Sequence, residues 1–448
     1  MNTIKPAYHF RPAHHWINDP NGTIFLNGYY HIFYQYNPYG EKWGNMSWGH
    51  ARTKDFVHYE EYTKSILPQE NKGEHYCFSG SIGINTKGNP VALYTSVCYD
   101  NEKNPNIQKA IVFDDKLEHW SEERIDCITT HMEGLPKTRN DVRDPYLFQI
   151  EGKNYLLLSA AIGENRNPAL LLFQDIDQKL LHWKFKKPLI TFKPLFELAE
   201  CPNFIQLRDK HVLLYSPYSE VSYKMGTFNT QSLSFQEEKE GLIDHCSQFY
   251  ATNTIIDTNR TIILAFVRGW NSFQKDWNNV ISLPRTIEIN DDNEIIQKPI
   301  EEIYHLQKPL FEKSKEEPIS LLKPFTHTSD QYIQSSLKFH LAFEKHGKVN
   351  LSLKDERGNT ITQILMSEQS VKFDAIYIPL KKKSQYTIEL FIDHSMMEIF
   401  IDDGRECATR VLENLVQIHQ IHFKGNGTLT QFASFSMQSL SLSKKIEA

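Results

Sequence analysis

The 448-residue chain has no apolar run long enough to span a membrane, and its opening residues, Met1 to Phe10, lack the continuous apolar core of a signal peptide. A soluble, cytoplasmic protein is expected. Cysteines are few and scattered: Cys77, Cys98, Cys127, Cys201, Cys246 and Cys407 include no CxxC pair. That pattern suits reduced thiols better than a disulfide framework or a zinc site. Positive charge is not in excess either, since 49 basic residues face 55 acidic ones for a net charge of -6. No basic face is available to hold nucleic acid. The 19 histidines, the pair His14-His15 included, follow no ligand spacing, so no metal and no cofactor is expected. Were the chain secreted after losing a leader, Asn21-Gly22-Thr23 and Asn45-Met46-Ser47 would be glycan acceptors.

Long amphipathic helical patterns are also missing, and short β-type runs take their place. Tyr29 to Tyr36, Tyr155 to Ser159, Val212 to Tyr215 and Thr261 to Val267 are bounded by Gly, Pro, Asn and Asp. Hydrophobic residues make up 40% of the chain and aromatic residues 12%, ample for buried cores and too many for disorder. At this length two domains are expected. The charged, proline-ended stretch Glu312 to Pro318 reads as a linker. The expected division is therefore 1–311, a linker over 312–324, and 325–448. Beyond the linker, Val349 to Leu353, Val371 to Ile378 and Thr387 to Ile392 alternate apolar and polar residues. Turn residues at Asp355 to Asn359 and Asp393 to Ser395 separate such runs, so an antiparallel β-sandwich is expected there.

In the N-terminal part, distinctive polar motifs recur at Asp19, Ser79, Asp144, Glu200 and Tyr250, at intervals of roughly 50–65 residues. Each interval can hold one four-stranded blade, which predicts a five-bladed propeller with these residues converging on its axis. The first motif, Trp16-Ile17-Asn18-Asp19-Pro20-Asn21-Gly22, is also a turn signal. Read singly, Arg143-Asp144-Pro145 is an ordinary surface ion pair and Glu200-Cys201-Pro202 an ordinary turn. Trp43, Trp48 and Trp270 are ordinary packing residues.

Taken together and in this order, with Gln35, Trp48-Gly49-His50 and Phe78-Ser79-Gly80 between them, the motifs resemble the β-fructofuranosidases of glycoside hydrolase family 32. That family includes invertases, inulinases, levanases and sucrose-6-phosphate hydrolases, and the resemblance covers essentially the whole chain. It implies a propeller followed by a β-sandwich. It also implies that Asp19 is the nucleophile, Glu200 the acid/base, and Asp144 a transition-state stabiliser bound to fructose hydroxyls. Asn18, Gln35, Trp43, Phe78, Ser79, Arg143 and Trp270 would line the fructose subsite.

The residue types suit the chemistry. A ketofuranoside leaving through an oxocarbenium-like transition state needs one ionised carboxylate at the anomeric carbon and one protonated carboxyl at the leaving oxygen, about 5–5.5 Å apart for retention. Arg143 is expected to keep Asp144 ionised, while burial and carboxylate repulsion raise the pKa of Glu200. The sequence departs from the family pattern at Asn140-Asp141-Val142 and at Phe196-Glu197-Leu198-Ala199, on the leaving-group side. Three other readings compete. An inactive fructan-binding propeller would lack a carboxylate, and an inverting pentosidase would lack the Asn-Asp-Pro-Asn-Gly motif. A fructosyltransferase would use the same intermediate. The expected partner is a small sugar, sucrose or a short fructo-oligosaccharide, with sucrose-6-phosphate as the alternative.

Overall fold

A computed structural model describes residues 5–63, 66–98, 105–138, 140–270, 276–313 and 317–445. Met1 to Ile4, residues 314–316 of the expected linker, Asn271 and the last three residues lie outside that set. Two compact units emerge, one of Arg11–Leu242, Tyr250–Ser282 and Leu442–Ala448, the other of Met1–Phe10, Ile243–Phe249 and Leu283–Ser441. Among the described residues the chain is almost entirely strand, helix being confined to Glu301–Tyr304 and two 3-10 turns.

The first unit contains sheets of four sequential strands. The first sheet has β1 (His15–Leu26), β2 (Tyr29–Asn37), β3 (Ser47–Thr53) and β4 (His58–Tyr62). The second has β5 (Glu74–Ile84), β6 (Pro90–Cys98), β7 (Ile107–Val112) and β8 (Ile125–Ile128). The third has β9 (Arg143–Ile150), β10 (Lys153–Ile162), β11 (Asn167–Asp175) and β12 (Trp183–Thr191), and the fourth β13 (Glu200–Leu207), β14 (Lys210–Ser216), β15 (Ser222–Asn229) and β16 (Ser234–Leu242). β17 (Phe249–Ile256) and β18 (Thr261–Val267) begin the next.

The apolar runs that read as strands are buried on both faces, because each sheet packs between two others. In the third sheet Leu156, Leu158, Leu171 and Phe173 join Val91, Leu93 and Ala110 of the second. The intervening Tyr155, Leu157, Leu170 and Leu172 join Phe204 and Leu213 of the fourth. Phe33 and Trp48 of the first sheet meet Ile82, Ala92 and Tyr94 of the second in the same way. Period-2 alternation thus sends successive side chains to different neighbours, the packing of propeller blades. Outer β16 (Ser-Phe-Gln-Glu-Glu-Lys-Glu-Gly-Leu) is mostly exposed, as its charges require. Tight turns join the first two strands of the first and third sheets, Asn27-Gly28 (φ 50° and 77°) and Glu151-Gly152 (φ 50° and 72°). Paired left-handed residues match the twist of a two-residue hairpin.

The second unit holds a β-sandwich. One sheet runs through Gln307–Lys313, Gly427–Met437, Gln334–Phe343, Gln385–Asp393, Met396–Ile401 and Glu406–Val411, the other through Phe325–Thr328, Gln420–Gly425, Lys348–Lys354 and Thr360–Ser367. Leu337, Phe339, Leu351, Leu390, Phe423 and Phe432 are among the side chains buried in its core. The run Val371 to Ile378, read as one strand, is a hairpin of Ser370–Phe373 and Ile376–Pro379 turning at left-handed Asp374 (φ 53°). Asp-Ala carries no strong turn signature, so the alternation runs unbroken through the corner. In the stretch read as linker, Glu312 and Lys313 pair with Ala433 and Phe432, and Ile319 and Ser320 with Leu429 and Thr428. Its charges mark an edge of the sheet, where Lys and Glu discourage further pairing.

This unit buries a charged cluster. Asp393 accepts the backbone N–H groups of Ala7 (2.6 Å), Tyr8 (2.8 Å) and His9 (3.1 Å), and also contacts His9 Nδ1 at 2.8 Å. His9 Nε2 lies 3.0 Å from Glu398, which Arg285 joins to Asp244. Burial alone would lower the His9 pKa, yet hydrogen bonds and charge from Asp393 and Glu398 carry it from 6.5 up to about 9. Because the folded value lies above the unfolded one, this stabilisation is complete below pH 6.5 and fades as pH rises towards about 9. Replacing His9 by Ala leaves two buried carboxylates short of a partner and should cost about 3–5 kcal/mol. Urea titrations at pH 6 and pH 9.5 check this: the gap between wild type and His9→Ala should narrow markedly at the higher pH.

Candidate active site

The polar motifs fall at equivalent places, where the first strand of each successive sheet opens. Asp19 lies in β1, Phe78 and Ser79 in β5, Arg143 and Asp144 begin β9, Glu200 begins β13, and Tyr250 follows the first residue of β17. In four of these strands the register with the second strand slips at the functional residues: between Ile17 and Pro20, Cys77 and Gly80, Arg143 and Tyr146, and Glu200 and Asn203. A bulge re-aims the side chains it carries and ends regular pairing. Asp144 (φ 60°), Cys201 (φ 45°) and Ala251 (φ 50°), each directly after Arg143, Glu200 and Tyr250, are left-handed, a strain that the surrounding sheet must sustain. At Gly80 a Cβ would stand 2.0 Å from the Leu93 carbonyl oxygen, so that bulge closes only on glycine.

The bulges deliver three carboxyl groups to one cleft of about 200 Å3. Asp19 accepts hydrogen bonds from Ser79 Oγ at 2.6 Å and Asn18 Nδ2 at 3.0 Å, with the Cys201 thiol at 3.5 Å. Trp16 Nε1 donates to Asn18 Oδ1 at 2.7 Å and fixes that amide. Gln35 donates to the Cys77 carbonyl at 2.9 Å. With its amide oriented to satisfy both ends, buried Asn21 accepts from Gln35 and donates to Ser79. Its burial is incompatible with a glycan.

Glu200 is held from three directions. Arg143 donates to its Oε1 at 3.0 Å, Tyr218 to the same oxygen at 3.0 Å, and Tyr250 to Oε2 at 2.6 Å. Burial raises its pKa and the charge of Asp19 adds to the rise, while Arg143, Tyr250 and Tyr218 oppose it; the net shift is upward. Asp144 is buried, accepts the Cys201 N–H at 3.0 Å, and is raised to about 7, chiefly by desolvation. Arg143 lowers the Asp144 pKa, as expected, but its hydrogen bonds go to Asp141 and Glu200 and its attraction only partly offsets burial.

Asn18, Asp19, Gln35, Trp43, Phe78, Ser79, Arg143, Asp144 and Glu200 all line the cleft. Trp270 does not; it is buried edge-on against Trp277, ring centroids 5.5 Å apart. Trp16, Phe266 and Arg268, which complete the lining with Tyr250, were not among the expected site residues, nor was Tyr218, which reaches Glu200. Tyr250 carried a signal, its place in the motif spacing. Arg268 stands two residues before the tryptophan chosen in its stead, with its guanidinium 4.1 Å over the Tyr250 ring.

The model of the glycosyl hydrolases family 32 N-terminal domain matches residues 9–299, and that of the family 32 C terminal matches 335–439. The chain belongs to glycosyl hydrolase family 32. This family 32 glycosidase is 26% identical to the sucrose-6-phosphate hydrolase of Zymomonas mobilis, over 89% of this chain and 84% of the relative. It has the fold of fructan 1-exohydrolase IIa from Cichorium intybus (TM-score 0.82, 20% identity, 99% of both chains). The sucrose-6-phosphate hydrolase from Lactobacillus gasseri is equally close in fold (TM-score 0.82, 24% identity, 98% of this chain and 94% of that one). In the family 32 glycosidase the hydrogen bond from Tyr250 favours ionised Glu200, so Tyr250→Phe should raise the Glu200 pKa further. With Glu200 as general acid, the alkaline limb of the kcat pH profile would move up.

Proposed function

We propose that this glycosidase releases terminal β-linked fructose from sucrose or short fructo-oligosaccharides by double displacement, with Asp19 as nucleophile and Glu200 as acid/base. The observation that carries the reading is the unequal treatment of two carboxyls in one cleft. Asp19 receives hydrogen bonds from Ser79 and Asn18, which fix the orientation of the carboxylate that would attack. Glu200 is driven upward by burial and by the charge of Asp19, which favours the protonated form a general acid needs.

In this mechanism Asp19 attacks the anomeric carbon as Glu200 protonates the departing oxygen, giving a fructosyl ester on Asp19. The Asp19 charge is then neutralised, which removes one cause of the raised Glu200 pKa, and Glu200 becomes a better base for the incoming water. Asp144, buried beside both, would hold fructose hydroxyls and tighten as positive charge develops on the ring. Names of relatives support the substrate class: besides the sucrose-6-phosphate hydrolases, fructan 1-exohydrolase IIa is known in complex with 1-kestose. Transfer to a sugar hydroxyl would use the same ester, and product analysis separates it from hydrolysis. A cytoplasmic location accords with the reduced state of the cysteines, all six free and five of them buried.

Two variants test the assignment. Glu200→Ala should slow sucrose cleavage by about 10²–10⁴. A fructoside with an acidic phenol as leaving group should be cleaved at nearly the normal rate in its first step, and azide should restore turnover with retained configuration. Equal, near-normal rates on both substrates would remove Glu200 from the chemistry. Asp144→Asn should lower kcat far more than it raises KM. A near-normal kcat would take Asp144 out of the site.

A further inference from the structure

Next to the catalytic cleft, in the same unit, lies a cavity of about 1030 Å3, several times larger. Its walls come from the β2–β3 loop, the segment before β5 and the segment before β8. Flat faces are supplied by Tyr39, Pro68 and Trp120, and side-chain amides by Asn45, Gln69 and Asn71. The charges balance, Lys72 and Arg124 against Glu70 and Glu122. Arg124 is also engaged, donating to the Tyr94 hydroxyl at 2.9 Å and the Leu67 carbonyl at 3.1 Å, with Glu74 at 3.7 Å. A net-neutral wall of ring faces and amides fits a polyhydroxylated, uncharged ligand better than an anion.

The cavity connects to the cleft through a continuous aromatic path. Trp43 and Phe78 line the cleft and His75 lines the cavity; Tyr76 lies between them. Tyr76 stacks on Phe78 at 5.7 Å, and its ring lies 5.7 Å from Trp43 and 5.1 Å from His75. Trp43 and Tyr39 are left 53% and 72% exposed on one loop. Large rings so displayed, on a loop pinned by hydrogen bonds at its base, mark a recognition surface. The brace is Asn37, which accepts from the Tyr39 N–H at 3.0 Å and donates to the Lys42 carbonyl at 2.7 Å.

We propose that this cavity is a second carbohydrate-binding site, holding the sugar units of a fructan chain that extend past the scissile bond along the Trp43–Tyr76–His75 path. The proposal rests on the reading of the cleft as a fructoside site. Chain length then sets substrate preference: a disaccharide fills only the cleft, while a longer chain also gains stacking on Tyr39.

The test compares sucrose with linear fructo-pentaoses of β-2,1 and β-2,6 linkage, on wild type, Tyr39→Ala and Tyr39→Phe. Wild type should favour at least one pentaose by fivefold or more in kcat/KM. Tyr39→Ala should remove that preference through KM while leaving sucrose within twofold of wild type, and Tyr39→Phe, which keeps the ring, should retain it. No preference in wild type, or a Tyr39→Ala change that is equal for all substrates or absent, would overturn the second site with the catalytic assignment intact. Failure of wild type to cleave any of the three would instead overturn the fructosidase reading itself.

Discussion

Three carboxyl groups share one small cleft, where burial and the charge of Asp19 raise the pKa of both Glu200 and Asp144. The arrangement persists because the repulsion is divided unevenly. Asp19 takes hydroxyl and amide donors, Glu200 takes the guanidinium and two phenols, and Asp144 takes mainly a backbone N–H. Arg143 is the pivot, since it bridges Glu200 to Asp141, two residues before it. Asp141 thus orients the guanidinium towards Glu200, and Asp144 is left mainly to burial.

The backbone makes this possible. The donors and the acids come from different sheets, so each must be turned inward at the opening of its first strand. Bulges and left-handed residues do this, and their cost, on the order of 1–3 kcal/mol for each strained residue, is carried by sheets buried on both faces. Stability and chemistry are thereby separated along each strand: the apolar middle holds the blade and the irregular opening presents the reacting groups.

Much of this was legible in the sequence. Runs such as Tyr155 to Ser159 read as strands because side chains going to two different neighbours make a continuous apolar stretch. Nine of the ten expected residues line one cleft, and they were legible because Asp19, Asp144 and Glu200 sit in compact motifs whose order is distinctive. Trp270 packs away from the cleft, a large aromatic near a motif carrying no sign of which way it faces, and Arg268 lines the cleft instead. Tyr218 lies in a loop, and its contact with Glu200 depends on a turn that only the folded sheet defines. The bulges were invisible for the same reason: register belongs to a pair of strands and cannot be read from either alone.

The paired left-handed turns at Asn27-Gly28 and Glu151-Gly152 have a consequence for how the chain may be cut. Each joins the first and second strands of its sheet, at the end remote from the bulge that carries the functional residues. New termini opened at such an exposed hairpin would leave every bulge within an unbroken segment, and the blade contacts would still form from the same strands. The order in which the blades occur along the polypeptide is thus separable from the constellation they build, and circularly permuted chains are a natural route to rearranging one without disturbing the other.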